Sequence, residues 1–307
     1  PAPCWVSYAP QARIIGRTVR FVPTTYEDRW RLLPAAFEEL CEEDPSRPRL
    51  LILNYPGNPD GSTYNETELR EIAAIARKYQ VLLLSDEIYG ELHHKGQHVS
   101  IARFYPEGTI ISSGLSKWCG AGGWRLGTFV FPPSMHWLLD AMAAAASETY
   151  TSTSAPIQYA AVTAFEGGSE IAEYLAGSRR ILRALGRWCH RRLEESGIGC
   201  APPAGGFSLF PEFSGFRDTL RAAGIEGSTA LCERLLTDTG VAILPGSEFG
   251  RDDHELTARL AYVDFDGDAA LRAAATIPRD ASLDELFLRT YAPRVTTAID
   301  QICSWVR

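Results

Sequence analysis

Apolar positions in the first half of the chain come in short unbroken runs separated by mixed stretches. Leu50–Leu53 is apolar throughout and runs into the turn cluster NYPGNPDG, residues 54–61. A run of this length bounded by turn residues predicts a buried strand. The next stretch has helical period: Leu69, Ile72, Ala73 and Ala76 share one face, Asn65 is placed to cap it, and Glu68 stands at the capping-box position. Val81–Leu84 is again wholly apolar, as a strand covered on both faces should be, with Asp86 just past its end. Thr109–Ser112 and Gly127–Phe131 predict a third and a fourth strand. Strands alternating with a helix at this spacing predict a parallel α/β sheet, whose ligands gather at the carboxyl ends of the strands. Asn58, Asp86 and Lys117 each follow such an end.

The second half changes character. Residues 169 to about 196 predict one long helix with Leu175, Leu182, Leu185 and Leu193 on a common side. CAPPAGGFSLF, GVAILPGSEFG and ARLAYVDFDG then read as short strands with Gly/Pro turns, and a last helix is expected from about Leu283 to the end. The expected organisation is a large α/β domain over residues 1–168 and a smaller α+β domain over 169–307.

Composition narrows the classes. Of 307 residues 45% are hydrophobic, enough for a substantial core, and the net charge of −8 argues against nucleic acid or an anionic membrane surface as a main partner. The seven cysteines are scattered with no CxxC pair, which predicts reduced thiols in a cytoplasmic setting rather than a disulfide framework or a zinc site. His93 and His94 have no third ligand at metal spacing, so no metal is expected.

The chemistry concentrates in SSGLSKWCGAGGWRLG, residues 112–127, where Lys117 sits among small residues and Arg125 follows it. A lysine among small groups and near a cation loses its proton more readily and can form a Schiff base. Glycines let backbone approach a bulky ligand, and arginine offers a planar fork for a phosphate. With Asp86 as acidic partner for a pyridinium nitrogen, the set describes pyridoxal 5′-phosphate (PLP).

The segments PCWVSY, NYPGNPDG, SDEIYGEL, SGLSKWCGAGGWRLG, PAGGFSLF, GVAILPGSEFG and ARLAYVDFDG, in this order, resemble those of fold-type I PLP enzymes of the class I/II aminotransferase family. The resemblance implies a PLP-transferase-like fold and a role for each matching residue. Lys117 would carry the cofactor as a Schiff base and shuttle the proton. Asp86 would pair with the ring nitrogen, and Tyr89 and Asn58 would bond its phenolic oxygen. Arg125 would hold the phosphate, and Ser116 would orient the turn or touch the phosphate. Trp5 would stack on the ring, and Arg259 would bind the substrate α-carboxylate. Active sites of the family lie at a homodimer interface, and SETYTSTSAP, residues 147–156, matches the segment that reaches the partner's site. It holds no arginine, which favours a neutral or aromatic substrate over a dicarboxylate.

Two departures stand out. Gly114 occupies a position where the family usually carries a phosphate-binding Ser or Thr, and the roughly one hundred residues that precede PCWVSY in the family are not in this sequence, which suggests a piece of a longer protein. The expected activity is transfer of an amino group between an L-amino acid and a 2-oxo acid with ping-pong kinetics. A lyase or cyclising synthase on the same scaffold, and a non-catalytic sensor or pseudoenzyme, are the alternatives.

Overall fold

A computed structural model describes residues 1–307 as two compact units: Leu32–Pro56 with Tyr64–Ala176, and Pro1–Arg31 with Gly57–Thr63 and Gly177–Arg307. The first holds a four-stranded sheet, β1 (Leu50–Asn54), β2 (Leu82–Asp86), β3 (Thr109–Gly114) and β4 (Gly127–Val130), in the spatial order β1-β2-β3-β4. β1, β2 and β3 are parallel, so the carboxyl ends of all three fall in one row, with Asn54 opposite Asp86 and Asp86 opposite Ser112. The sheet is the mostly parallel central sheet expected of a PLP-transferase-like fold, with one antiparallel strand. β4 pairs antiparallel with β3, Gly114 opposite Gly127. The physical reason lies in the link: residues 115–126 contain no crossover helix, and without one a returning strand can only pair antiparallel.

The helix Glu66–Lys78 between β1 and β2 forms as its pattern dictates. Asn65 Oδ1 accepts from the Glu68 amide at 3.0 Å, and the Glu68 carboxylate accepts from the Asn65 amide at 2.8 Å, closing a reciprocal capping box. Leu69, Ile72, Ala73 and Ala76 are buried together with Ile75. Burial of Leu69 and Ile72 contributes about 1.5–3 kcal/mol each. The helix packs against Pro34–Glu42, where Lys78 Nζ meets Glu38 Oε1 at 2.7 Å. Helices His136–Thr149 and Ala155–Glu166 follow β4, and most of their residues are exposed. Their alanine-rich sequences carry little apolar period, and the pattern alone did not single them out.

The second unit holds a three-stranded antiparallel sheet, β5 (Ser208–Leu209), β6 (Leu244–Pro245) and β7 (Ala258–Ala261), in the order β5-β7-β6. The long helix spans Ser169–Glu195, and Leu175, Leu182, Leu185 and Leu193 are buried along it. The single last helix expected from Leu283 is two, Glu285–Tyr291 and Pro293–Trp305. Pro293 has no amide hydrogen to continue the first helix, and its fixed φ suits the first turn of the next. No helix is long and apolar enough to cross a membrane.

Candidate active site

Five of the residues singled out by sequence belong to the first unit. Asp86 ends β2 and is half-buried, with its carbonyl accepting from Asn54 Nδ2 at 3.0 Å. One carboxylate oxygen of Asp86 accepts from the Ile88 amide at 3.2 Å, an Asx-turn that starts the tight loop to Tyr89. Asp86 therefore caps the following turn through this oxygen. Tyr89 is buried three positions beyond the strand. Lys117 is exposed, three positions beyond the end of β3, and its Nζ lies 5.8 Å from the centroid of the Tyr89 ring. The structure thus brings an amine, a phenol and a carboxylate to neighbouring strand ends.

Ser116 and Arg125 share the β3–β4 link with Lys117. That link is closed by the Leu115 amide donating to the Leu126 carbonyl at 3.3 Å and the Ala121 amide donating to the Leu115 carbonyl at 3.2 Å. Arg125 adopts a left-handed backbone, φ 55°, is exposed, and donates from Nη1 to the Gly122 carbonyl at 2.6 Å. Ser112, Ser113 and Ser116 are half-buried hydroxyls in the same stretch.

Trp5, Asn58 and Arg259 belong to the second unit. Trp5 is exposed and packs edge-on against Tyr8, ring centroids 5.2 Å apart. Asn58 is buried in a turn held by the Gly57 amide to the Ser62 carbonyl and the Gly61 amide to the Gly57 carbonyl, both 2.9 Å. Asp60 is buried in the same turn, where burial pushes its carboxyl up to about 6 against the opposing bonds from Ser62. Arg259 sits on β7, the central strand, with its guanidinium 5.4 Å from the centroid of the Phe249 ring.

Sequence reasoning missed Asn54, which ties β1 to the Asp86 carbonyl, and a polar cluster of Glu87, His98 and Ser100 beside the Asp86 turn. The available signal for the cluster was Ser85 and Glu87 at strand spacing, with a second polar pair at 98 and 100.

These donors fit PLP. An accessible primary amine suits an aldehyde, the strand-end carboxylate suits a ring nitrogen, and the buried phenol suits a ring oxygen. The half-buried hydroxyls around Gly114 suit a phosphate.

Comparison with known proteins agrees. The family described as aminotransferase class I and II matches residues 1–274. An aspartate aminotransferase of Geobacillus stearothermophilus is 32% identical over 266 residues, covering 85% of this chain and 64% of its own. One from Pinus pinaster is 36% identical over 260 residues, covering 82% of this chain and 52% of its own. Among solved structures, the aromatic aminotransferase of Pyrococcus horikoshii superposes with a TM-score of 0.79 at 28% identity, over 100% of this chain and 72% of its own. The Thermus thermophilus aspartate aminotransferase with maleate gives 0.78 at 26% identity, over 100% and 68%. The chain spans less than two thirds of the length of these curated relatives. By both sequence and fold, it belongs to the aminotransferase class I and II family.

Proposed function

We propose that the protein is a PLP-dependent aminotransferase that moves an amino group between an L-amino acid and a 2-oxo acid in two ping-pong half-reactions. Members of the family are PLP-dependent. The observation that carries the reading is the placement of Lys117 over Tyr89 at the carboxyl ends of β3 and β2, beside Asp86.

When bound, PLP supplies an electron sink that stabilises negative charge at the substrate Cα. Lys117 Nζ would hold the cofactor aldehyde and would be the base that takes the Cα proton. The Asp86 carboxylate would keep a proton on the ring nitrogen by opposite charge. The Tyr89 hydroxyl would orient the ring through its phenolic oxygen, a role the family resemblance also implies for Asn58. Arg125 and Ser116 would hold the phosphate, and the family resemblance implies that Trp5 would cover a ring face. Arg259 binds the substrate α-carboxylate as a two-pronged donor, which fixes the Cα–H bond in place.

The same reading covers the rest of the molecule. Residues 1–168 form the large cofactor domain in function and 169–307 the small one, although residues 1–31 and 57–63 pack with the C-terminal unit. A homodimer is part of the proposal. Support comes from exposed apolar side chains on two adjacent helices of the first unit, Trp137, Tyr159 and Val162 among them. A cytoplasmic setting fits seven free cysteines. For the substrate side chain, the lack of arginine in residues 147–156 favours a neutral or aromatic amino acid. Relatives named for aspartate and for aromatic substrates bracket that choice.

The test is the visible spectrum of the protein with PLP, before and after each of a panel of L-amino acids, beside Lys117→Ala. A visible band in the wild type that changes with particular amino acids, with matching 2-oxo acid formed, supports the proposal. Ammonia or a cyclised product assigns the lyase or synthase reaction instead. Absence of any band, with no mass added at Lys117 after borohydride reduction, removes the enzyme reading.

A further inference from the structure

The turn that carries Asp86 and Tyr89 is braced by polar groups for which the proposed function has no use. Along a strand, residues two apart share a side, and Ser85 and Glu87 do so: Ser85 Oγ donates to Glu87 Oε1 at 2.8 Å. The Glu87 side chain is only 11% exposed and gathers two further donors, Ser100 Oγ at 2.5 Å and His98 Nε2 at 2.9 Å. Three donors make a nearly buried carboxylate tolerable, because each replaces a bond lost from water.

His98 is itself fixed. Its ring lies 5.2 Å from the Tyr55 ring, and Tyr55 Oη accepts from the Ile101 amide at 2.7 Å and lies 3.3 Å from Ser85 Oγ. Any Cβ at Gly90 would stand 2.9 Å from His98 Cδ2, so the imidazole edge rests directly on the residue after Tyr89. His98 Nδ1 is buried and makes no hydrogen bond. Its other nitrogen, Nε2, meets Glu87 Oε2 at 2.9 Å.

The main chain of the turn makes bonds of its own. The Glu87 amide donates to the Ser112 carbonyl of β3 at 2.8 Å, and the Gly90 amide to the Glu87 carbonyl at 2.8 Å. The Glu87 side chain adds an attachment to residues 98 and 100. We propose that Glu87 and His98 are positioning residues for Asp86 and Tyr89: they lock the turn between the two so that carboxylate and phenol meet the cofactor ring together. This rests on the reading that Asp86, Tyr89 and Lys117 hold PLP.

Glu87→Gln keeps an oxygen for both serines but removes the charge. His98→Ala removes the brace, and His98→Gln restores a neutral donor at similar reach. Three measurements are made on each: PLP affinity by absorbance titration, the mass fixed at Lys117 by borohydride, and amide exchange of residues 86–92 in the cofactor-free protein. In the expected result, Glu87→Gln and His98→Ala weaken PLP binding about tenfold while PLP is still fixed at Lys117. Exchange over 86–92 quickens while the rest of the first unit stays protected, and His98→Gln recovers most of both. Wild-type affinity and wild-type exchange in the first two variants overturn the proposal. So does a loss that tracks global unfolding and is not recovered by glutamine. If the wild type fixes no PLP at Lys117, the functional reading has failed on its own account. The positioning role for the cofactor falls with it, and the exchange data then show only whether Glu87 and His98 brace the turn.

Discussion

Lys117 Nζ lies 5.8 Å from the centre of the Tyr89 ring, an amine past the end of one strand facing a phenol past the end of the next. At an exposed site a cation on an aromatic face contributes only about 0.5–1 kcal/mol, so the contact does little for stability. Its importance is placement. Tyr89→Phe keeps the ring and removes the hydroxyl. If that hydroxyl bonds the cofactor, PLP affinity falls by about 1–2 kcal/mol, roughly tenfold, with the unfolding midpoint nearly unchanged. Absorbance titration reads the first and thermal unfolding the second. A phenylalanine variant that binds PLP like the wild type would show that the hydroxyl is no ligand.

The elements that position this pair were legible because their signals are local. An apolar run between turns gives β1 and β2, and the Asn65/Glu68 pair gives the start of the helix between them. What sequence hid is set by contacts between distant residues. The reversal of β4 depends on what its link lacks, and the role of His98 depends on its ring resting on Gly90. Among the site residues, Asp86 and Lys117 could be placed from strand ends alone. Arg259 could not, since β7 is short and its place in the centre of a three-stranded sheet is fixed by pairings with segments far along the chain.

Asn65 offers a check on the helix rather than the site. Asn65→Ala deletes an acceptor that meets the Glu68 amide at 3.0 Å. It is expected to destabilise the protein by about 1 kcal/mol, and Asn65→Asp by far less, since the oxygen is kept. Urea unfolding of both variants measures this. Equal losses would mean that the bond contributes nothing beyond the shape of the side chain.

Gly114 stands where the family usually offers a hydroxyl to the phosphate, and the structure shows why restoring it should fail. A Cβ at this position would lie 2.6 Å from the Leu126 carbonyl oxygen and 3.0 Å from Gly127 Cα, both main-chain atoms of the paired strand. Backbone cannot step aside as a flexible side chain can. Gly114→Ser should therefore destabilise the protein by about 1–3 kcal/mol and leave PLP affinity no better. Tighter PLP binding at unchanged stability would show that the strand pair yields, and that the phosphate had lacked this hydroxyl.

Asp60 makes stability depend on pH through the turn that holds Asn58. Its carboxyl is buried and raised from an ordinary 3.8 to about 6, chiefly by loss of water, with the Ser62 bonds pulling the other way. Between these two values the folded protein retains a proton that the unfolded chain has released. Stability therefore falls as pH rises through this window, and the full penalty persists above it. The upper bound is about 3 kcal/mol at neutral pH. Asp60→Asn keeps an oxygen for the Ser62 amide, now 3.1 Å from Oδ2, without the charge. The variant should be more stable than the wild type at pH 7.5, with the gain shrinking toward zero near pH 4. Urea unfolding at both pH values tests it. A gain of equal size at both would place its origin in the shape of the turn, and a loss at pH 7.5 would mean that the ionised carboxylate, not its neutral form, holds the loop around Asn58.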